Sequence, residues 1–297
     1  MLYLKKMEGK NRLNCETYKT CSHWCKYCFS MIHWNTYWIA KEIKRTSKLV
    51  PKFFEEFENH NIFEEIKFLG KKWRFKDYYW KIIYWGNAVD PFSDFEKKYK
   101  VSKILLSSFK KQDYPLVIST KSNWLANDDS YLNLFYKNIT LKISIPIIDE
   151  NKASIIEQWT TVKNRIELIK KLKGKVKEII VRIQPFIIWL SDVDLAKTIE
   201  FYKSIWVDSI FFDLLHIPAC IGENSKQYLD WLSASIGYDV VDYYKKNGYY
   251  KNWKYKLNYK TRFKIIEKLK KETDKNWLNI YVCNKKEREQ FLLPSFY

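Results

Sequence analysis

Long apolar runs are missing from this 297-residue chain. With nowhere about eighteen consecutive apolar residues, no membrane-spanning helix is expected. The opening residues Met1-Leu2-Tyr3-Leu4-Lys5-Lys6 lack the apolar core and cleavage site of an export signal, so a cytoplasmic protein is the expectation. Cysteine is scarce, at 6 residues, and without a secretory segment a disulfide framework is not expected. No Gly/Ser-rich or Pro-rich linker and no internal repeat divides the chain. One large α/β domain, or a domain with an appendage, therefore fits the length. Glycine and proline number only 7 each beside abundant Lys, Asn, Ile, Tyr and Phe, the composition an AT-rich genome produces.

What is present in excess is positive charge and aromatic surface: net +19, with 18% aromatic residues. Between Asp242 and Arg288 there are 15 Lys or Arg against 5 Asp or Glu, interleaved with Tyr243, Tyr244, Tyr249, Tyr250, Trp253, Tyr255 and Tyr259. Two readings stand side by side. A groove that tracks a phosphate backbone while bases stack on rings has this composition, which makes DNA or RNA a partner. A solvated face on C-terminal helices, with tyrosines packed beneath and the charge a genomic bias, has it too.

The sharpest pattern is Cys21-Ser22-His23-Trp24-Cys25-Lys26-Tyr27-Cys28, three cysteines separated by three and then two residues. Iron-sulfur clusters ordinarily take four Cys thiolates, one on each iron corner. Three on one short loop leave the fourth iron without a protein ligand. A closed zinc site wants four ligands in paired short spacings, and His23 inside the loop is poorly placed to complete one. A non-catalytic nucleic-acid-binding protein with a structural metal remains the alternative from another class.

These residues resemble the signature of the radical S-adenosyl-L-methionine (SAM) superfamily, in which an aromatic residue, here Tyr27, precedes the third cysteine. The resemblance implies a 4Fe-4S cluster on Cys21, Cys25 and Cys28 whose open iron chelates SAM. One electron, from an external donor such as flavodoxin or ferredoxin, then cleaves SAM to a 5'-deoxyadenosyl radical that abstracts hydrogen from substrate. The stretch Gly86-Asn87-Ala88-Val89-Asp90-Pro91-Phe92 with Glu96, and Thr120-Lys121-Ser122 at a strand end, resemble the spore photoproduct lyase-like (DNA repair photolyase-like) branch. By that resemblance Gly86 and Asn87 stand at the turn that binds the SAM amino group, although Asn87 brings no negative charge. Asp90 belongs to the same motif, with helix capping after Pro91 as its plainer role. Lys121 matches the lysine near the SAM carboxylate, Ser144 the serine that contacts ribose, and Tyr27 lies against adenine. Nucleic acid is the implied substrate class, and a peptide or small metabolite is the rival.

Alternation of β-branched runs with amphipathic stretches predicts a parallel sheet of β-α units. Strands are expected near 16–20, 81–86, 115–120, 139–145, 177–185 and 208–213. Helices are expected near 31–45, 50–66, 98–112, 129–136, 154–173, 192–205, 226–247 and 259–274. Six such units match the partial (β/α)6 TIM-type barrel that the resemblance implies. A boundary near residue 219 would separate this barrel, 1–218, from a basic, aromatic, mostly helical extension over 219–297. In β/α barrels functional groups gather at the C-terminal ends of the strands, and each motif follows a predicted strand. Arg182 sits in an apolar strand, where a lone charge is costly and implies a carboxylate or ligand partner. Cys220, after the sixth strand, is the candidate hydrogen donor to a product radical. Trp24 and Trp85 are expected near the mouth, shielding the radical from water and oxygen.

Overall fold

The computed structural model describes residues 4–6, 13–18, 21–28, 82–157, 160–218, 223–251 and 254–294. Cys220 and the helices expected near 31–45 and 50–66 lie outside the described residues. An eight-stranded sheet organises the rest. Its strands are β1 (Leu4–Lys6), β2 (Leu13–Cys15), β3 (Ile83–Trp85), β4 (Leu116–Thr120), β5 (Ile139–Ser144), β6 (Glu178–Phe186) and β7 (Ser209–Leu214), joined by a strand from near the C-terminus. Strands β8 (Ile217–Pro218), β9 (Gly248–Lys251) and β10 (Lys254–Leu257) form a separate antiparallel sheet. The late strand of the main sheet, β11 (Asn279–Val282), pairs in parallel with β7. From β2 to β7 the strands are parallel and adjacent in chain order, with β1 antiparallel at the β2 edge. This is an α/β fold of the partial TIM-barrel type, open between β1 and β11.

The order follows from crossovers that return each strand beside the last, as right-handed β-α-β connections do. Helices α1 (Asp94–Tyr99) and α2 (Val101–Lys111) join β3 to β4, and short α3 (Asp129–Leu132) precedes β5. Helices α4 (Glu150–Ile156) and α5 (Val162–Leu172) lie between β5 and β6, and α6 (Leu195–Ser204) between β6 and β7. Beyond β8 come α7 (Glu223–Ile236), α8 (Val240–Asn247), α9 (Tyr259–Lys275) and α10 (Lys285–Phe291). Side-chain caps start several of them, because the first N–H groups of a helix lack internal acceptors. Asp149 accepts from Lys152 N, Thr161 from Asn164 N, Asp239 from Asp242 N and Asn258 from Thr261 N.

Alternation along the strands sorts two faces. Ile83, Trp85, Leu116, Ile118, Leu141, Ile143, Val181, Ile210 and Phe212 belong to one apolar core with the helices. Tyr84, Val117, Ile180 and Phe211 are equally buried but stand outside that cluster, on the inner face. Ser144, Arg182 and Asp213 fall on this inner face by the same two-residue step. Polar groups thus enter the barrel interior without disturbing the helix-side packing. Trp85 is wholly buried on the helix side, with Nε1 donating to Thr17 Oγ1 at 2.7 Å. It is a core residue and does not stand at the mouth.

Sequence and structure differ at three elements. The first core strand is Leu13–Cys15 rather than 16–20, because Glu16, Thr17 and Tyr18 turn to bond Ala88 N, Trp85 Nε1 and Glu96. The helix expected over 154–173 is split into α4 and α5, and Glu157 in the break is buried. The helix expected over 226–247 is broken at Gly237, φ +79°, with Asp239 capping the second piece. In addition, β1, β8, β9, β10 and β11 are strands that the sequence pattern did not reveal.

Candidate active site

The cluster-loop residues 21–28 lie across the C-terminal ends of the parallel strands, fastened on two sides. On one side Ser22 Oγ donates to Asp94 Oδ2 at 3.1 Å and accepts from Asp94 N at 2.9 Å. His23 Nε2 lies 3.0 Å from Asp90 Oδ2. Just before the loop, Tyr18 OH donates to Glu96 Oε2 at 2.5 Å. On the other side Lys26 N donates to Ile156 O at 3.0 Å, and Lys26 Nζ donates to Ser235 Oγ at 2.9 Å.

Glu96, the acidic residue of the second motif, is a structural clamp. Its carboxylate also accepts from Tyr131 OH at 2.7 Å and from the N–H groups of Ser102 and Lys103 at 2.8 Å each. The last two are first-turn donors of α2, whose own N-cap residue Lys100 gives no side-chain cap. Burial raises the Glu96 pKa, and these hydrogen bonds only partly oppose it.

Asp90 ties three segments together and does not cap a helix; Ser93 holds the N-cap position of α1. Besides His23, it accepts from Phe92 N at 2.9 Å, from Thr120 Oγ1 at 2.9 Å and from Lys121 N at 2.5 Å. Burial raises its pKa, but His23 and the N–H groups of Lys121 and Phe92 outweigh burial and hold it below the usual 3.8. Gly86 makes the same junction possible. Its φ is +85°, and a Cβ there would stand 2.2 Å from Ser119 O and 2.8 Å from Pro91 Cδ. Only glycine lets the turn after β3 pass this close to β4.

At the opposite wall Lys121 Nζ donates to Tyr27 OH and to Glu157 Oε1, the latter at 3.1 Å, and lies 4.4 Å from the centre of the Tyr27 ring. Tyr27 OH in turn donates to Glu157 Oε1. Arg165 NH2 lies 2.7 Å from Glu157 Oε2. Neither of these two atoms has an aligned hydrogen bond, so this contact is ionic rather than directional. Arg165 NH1 donates to Ser144 O at 2.5 Å. Burial lowers the Lys121 pKa; Cys25 opposes and Arg165 adds to it. Arg182 has its partner inside the barrel: Nε donates to Gln184 Oε1 at 2.6 Å, and Gln184 Nε2 reaches Asp213 Oδ2 at 3.3 Å. Asp213 is held by Arg262 at 3.4 Å, and Arg262 also pairs with Glu287, so α9 and α10 brace the strand ends.

These networks frame one cavity of about 320 Å³, which only some of their members line. Its lining contains Cys21, Cys25, Tyr27 and Cys28 from the loop, Gly86, Asn87 and Asp90 after β3, and Lys121, Ser144 and Arg182 from β4 to β6. Every described residue nominated from the sequence to hold a metal or cofactor is therefore at one place. The structure adds His23, Thr120, Gln184, Leu215, His216 and Lys254 to the lining, and Glu157 and Arg165 behind it. The only sequence signal for Glu157 is a lone acid inside an apolar helical period.

The donor set fits a cluster. Among the described residues no three His, Cys, Asp or Glu side chains converge as for a single metal ion. A four-iron cluster asks for something else, each thiolate on its own iron, and three cysteines bordering one cavity supply it. Burial pushes the Cys21 thiol up, with Asp90 and Cys25 adding to it. The Cys25 thiol is pushed up to about 12, by burial first, with Lys121 opposing. Thiolate formation there needs a metal's charge.

A mostly parallel sheet carrying this loop at its C-terminal edge is a partial TIM-type barrel with a candidate site at the usual end. The chain resembles solved structures of spore photoproduct lyase. One, complexed with dinucleoside spore photoproduct, superposes with TM-score 0.59 at 13% identity over 89% of this chain and 73% of that one. A variant with bound AdoMet and the same photoproduct gives TM-score 0.63 at 11% identity over 95% and 78%. At such identities the likeness is one of fold, and the chain has the spore photoproduct lyase-like radical SAM fold. No protein-family model matches the chain. The uncharacterized protein ORF301 of Acidianus two-tailed virus is 27% identical over 203 residues, which are 66% of this chain. The chain spans just under two thirds of that relative, 64% of its length. Among the described residues no helix is long and apolar enough to cross a membrane.

Proposed function

We propose that this chain is a radical SAM enzyme that holds a 4Fe-4S cluster on Cys21, Cys25 and Cys28 and acts on nucleic acid. The observation that carries the reading is the convergence of three cysteines, a lysine ammonium and the Ser144 position on one cavity at the C-terminal ends of parallel strands. When bound, the cluster supplies the electron that cleaves SAM and so generates a hydrogen-abstracting adenosyl radical.

The chain's own residues bind and orient. Lys121 offers a point positive charge to a carboxylate. Asn87 donates its amide N–H to Asn14 Oδ1 at 3.0 Å, so its amide oxygen is the group left for a ligand ammonium. Ser144 stands at the end of β5 within reach of a ribose in the cavity. Tyr27 closes the loop side, although the Lys121 ammonium lies against its ring. Asp90 fixes the turn that carries Asn87 relative to Lys121 through the Lys121 N–H. An external donor such as flavodoxin or ferredoxin supplies electrons.

Nucleic acid is favoured as substrate by the placement of the basic segment. Lys254 of β10 lines the cavity, and Tyr255 of the same strand pairs across to Tyr250 of β9 at 5.5 Å between ring centres. Burial first, then the neighbouring Lys256, lowers the Lys254 pKa, with Asp213 opposing. In the neighbours' structures spore photoproduct lyase holds a dinucleoside. Anaerobic reconstitution with a reductant tests the reading. Wild type should form 5'-deoxyadenosine from SAM and Cys25→Ala should not, with DNA or RNA pools stimulating the reaction in a salt-sensitive way. Equal product from both proteins overturns the enzyme assignment, and stimulation by peptide pools alone overturns the substrate assignment.

A further inference from the structure

We infer that the buried pair Glu157 and Arg165 sets the charge count at the Lys121 wall, making that wall a receptor for a single carboxylate. The inference rests on the reading that the cavity takes SAM. A lysine beside one buried carboxylate is a neutral pair with little left for an anionic ligand. Glu157 would make Lys121 such a pair, since its Oε1 lies 3.1 Å from Lys121 Nζ. Arg165 changes the count. Its NH2 is 2.7 Å from the other carboxylate oxygen, so two cations share one anion and one positive charge is left over.

That surplus has a direction. Arg165 and Glu157 are both buried, at 0% and 1% exposure, while Lys121 borders the cavity. The guanidinium is locked by Nε donating to Thr161 O at 3.1 Å and NH1 donating to Ser144 O at 2.5 Å. It cannot swing toward the ligand, so the uncompensated charge meets the cavity through Lys121. Tyr27 OH, bound to the same Glu157 oxygen as the ammonium, holds the cluster loop to this arrangement. Arg165 and Glu157 are accordingly positioning residues and touch no reacting atom.

The test compares two uncleavable nucleosides on anaerobically reconstituted protein of matched iron content, by equilibrium dialysis. S-adenosylhomocysteine carries the carboxylate and 5'-methylthioadenosine lacks it. Arg165→Met should lower affinity for the first by about tenfold or more, the scale of one charge-assisted contact, and leave the second unchanged. Glu157→Gln should raise the preference for the carboxylate ligand. The double variant Glu157→Gln with Arg165→Met restores one net charge and should recover the wild-type preference, a rescue that a merely structural role would not give. Glu157→Gln keeps the question decidable if Arg165→Met does not fold. Binding of both nucleosides with a preference that ignores the charge count overturns the inference alone. Failure of wild type to bind either overturns the SAM reading and the inference with it.

Discussion

Gly86→Ala and Gly174→Ala differ by one physical factor. Both glycines have positive φ, +85° and +75°, but a Cβ on Gly86 meets Ser119 O at 2.2 Å while one on Gly174 meets nothing within 4 Å. The left-handed backbone costs an alanine roughly 1–2 kcal/mol, offset by roughly 0.4–1 kcal/mol because alanine has fewer unfolded conformations. Gly174→Ala should therefore lose between about 0 and 1.6 kcal/mol. At Gly86 the obstructing atom is main chain of β4, which cannot rotate away, so overpacking adds roughly 1–3 kcal/mol. Urea unfolding followed by circular dichroism, with m unchanged, reads the difference from the midpoints. Loss of stability should be larger for Gly86→Ala by about 2 kcal/mol. Two variants agreeing within about 0.5 kcal/mol, the usual scatter for surface changes, would refute the steric argument.

Three further outcomes follow from the buried polar groups. Glu96→Ala strands two tyrosine hydroxyls and two α2 amides, each costing about 1–3 kcal/mol when buried without a partner, so a loss of at least about 3 kcal/mol is expected in chemical denaturation; under about 1 kcal/mol would contradict the clamp. Arg262→Met leaves the Asp213 and Glu287 carboxylates uncompensated and should cost about 3–5 kcal/mol, whereas a neutral effect would remove the proposed bracing of β7 by α9 and α10. Asp90 has a folded pKa below its ordinary 3.8, so its ionised form stabilises the fold fully above that value and the contribution is lost as pH falls further, toward the folded pKa. The stability gap between wild type and Asp90→Asn should therefore shrink on acidification below about pH 4 and stay level above it; a gap that widens on acidification contradicts the assignment.

Much of the sheet was legible because its middle strands are short and rich in Ile, Val and Leu, with polar residues only on the inner face or at the strand end. Leu116–Thr120 and Ile139–Ser144 are buried at every position, the signature of strands covered on both faces. The strand β11 was not, since only Ile280 and Val282 of its four residues are buried and it sits at the sheet edge beside a basic helix. Periodicity carried the sequence reading straight through the α4–α5 break, because Ile155, Ile156, Trp159 and Val162 continue the three- and four-residue spacing of α5. Nothing in a period distinguishes an acid that leaves the helix to meet Arg165 from one that points to solvent. Asp239 after Gly237, by contrast, is a cap signal that would have split α7 from α8. At the site, the cysteine loop, Asp90 and Lys121 were readable as motifs, but their couplings were not. Glu157, Arg165 and Glu96 act across 36, 21 and 78 residues of chain in their contacts with Lys121, Ser144 and Tyr18, separations that no local pattern encodes. Tyr27 shows the same limit, since its position was read as an adenine contact while its hydroxyl is committed to Lys121 and Glu157.

The proposed activity requires an iron corner that the polypeptide would leave open. Mössbauer spectroscopy of anaerobically reconstituted, iron-57-labelled protein, before and after addition of SAM, addresses it directly. One iron in each four-iron cluster should change its signal when SAM binds, while the three held by Cys21, Cys25 and Cys28 stay as they were. A spectrum that SAM leaves untouched, or a reconstituted protein that takes up zinc in place of iron, would contradict it.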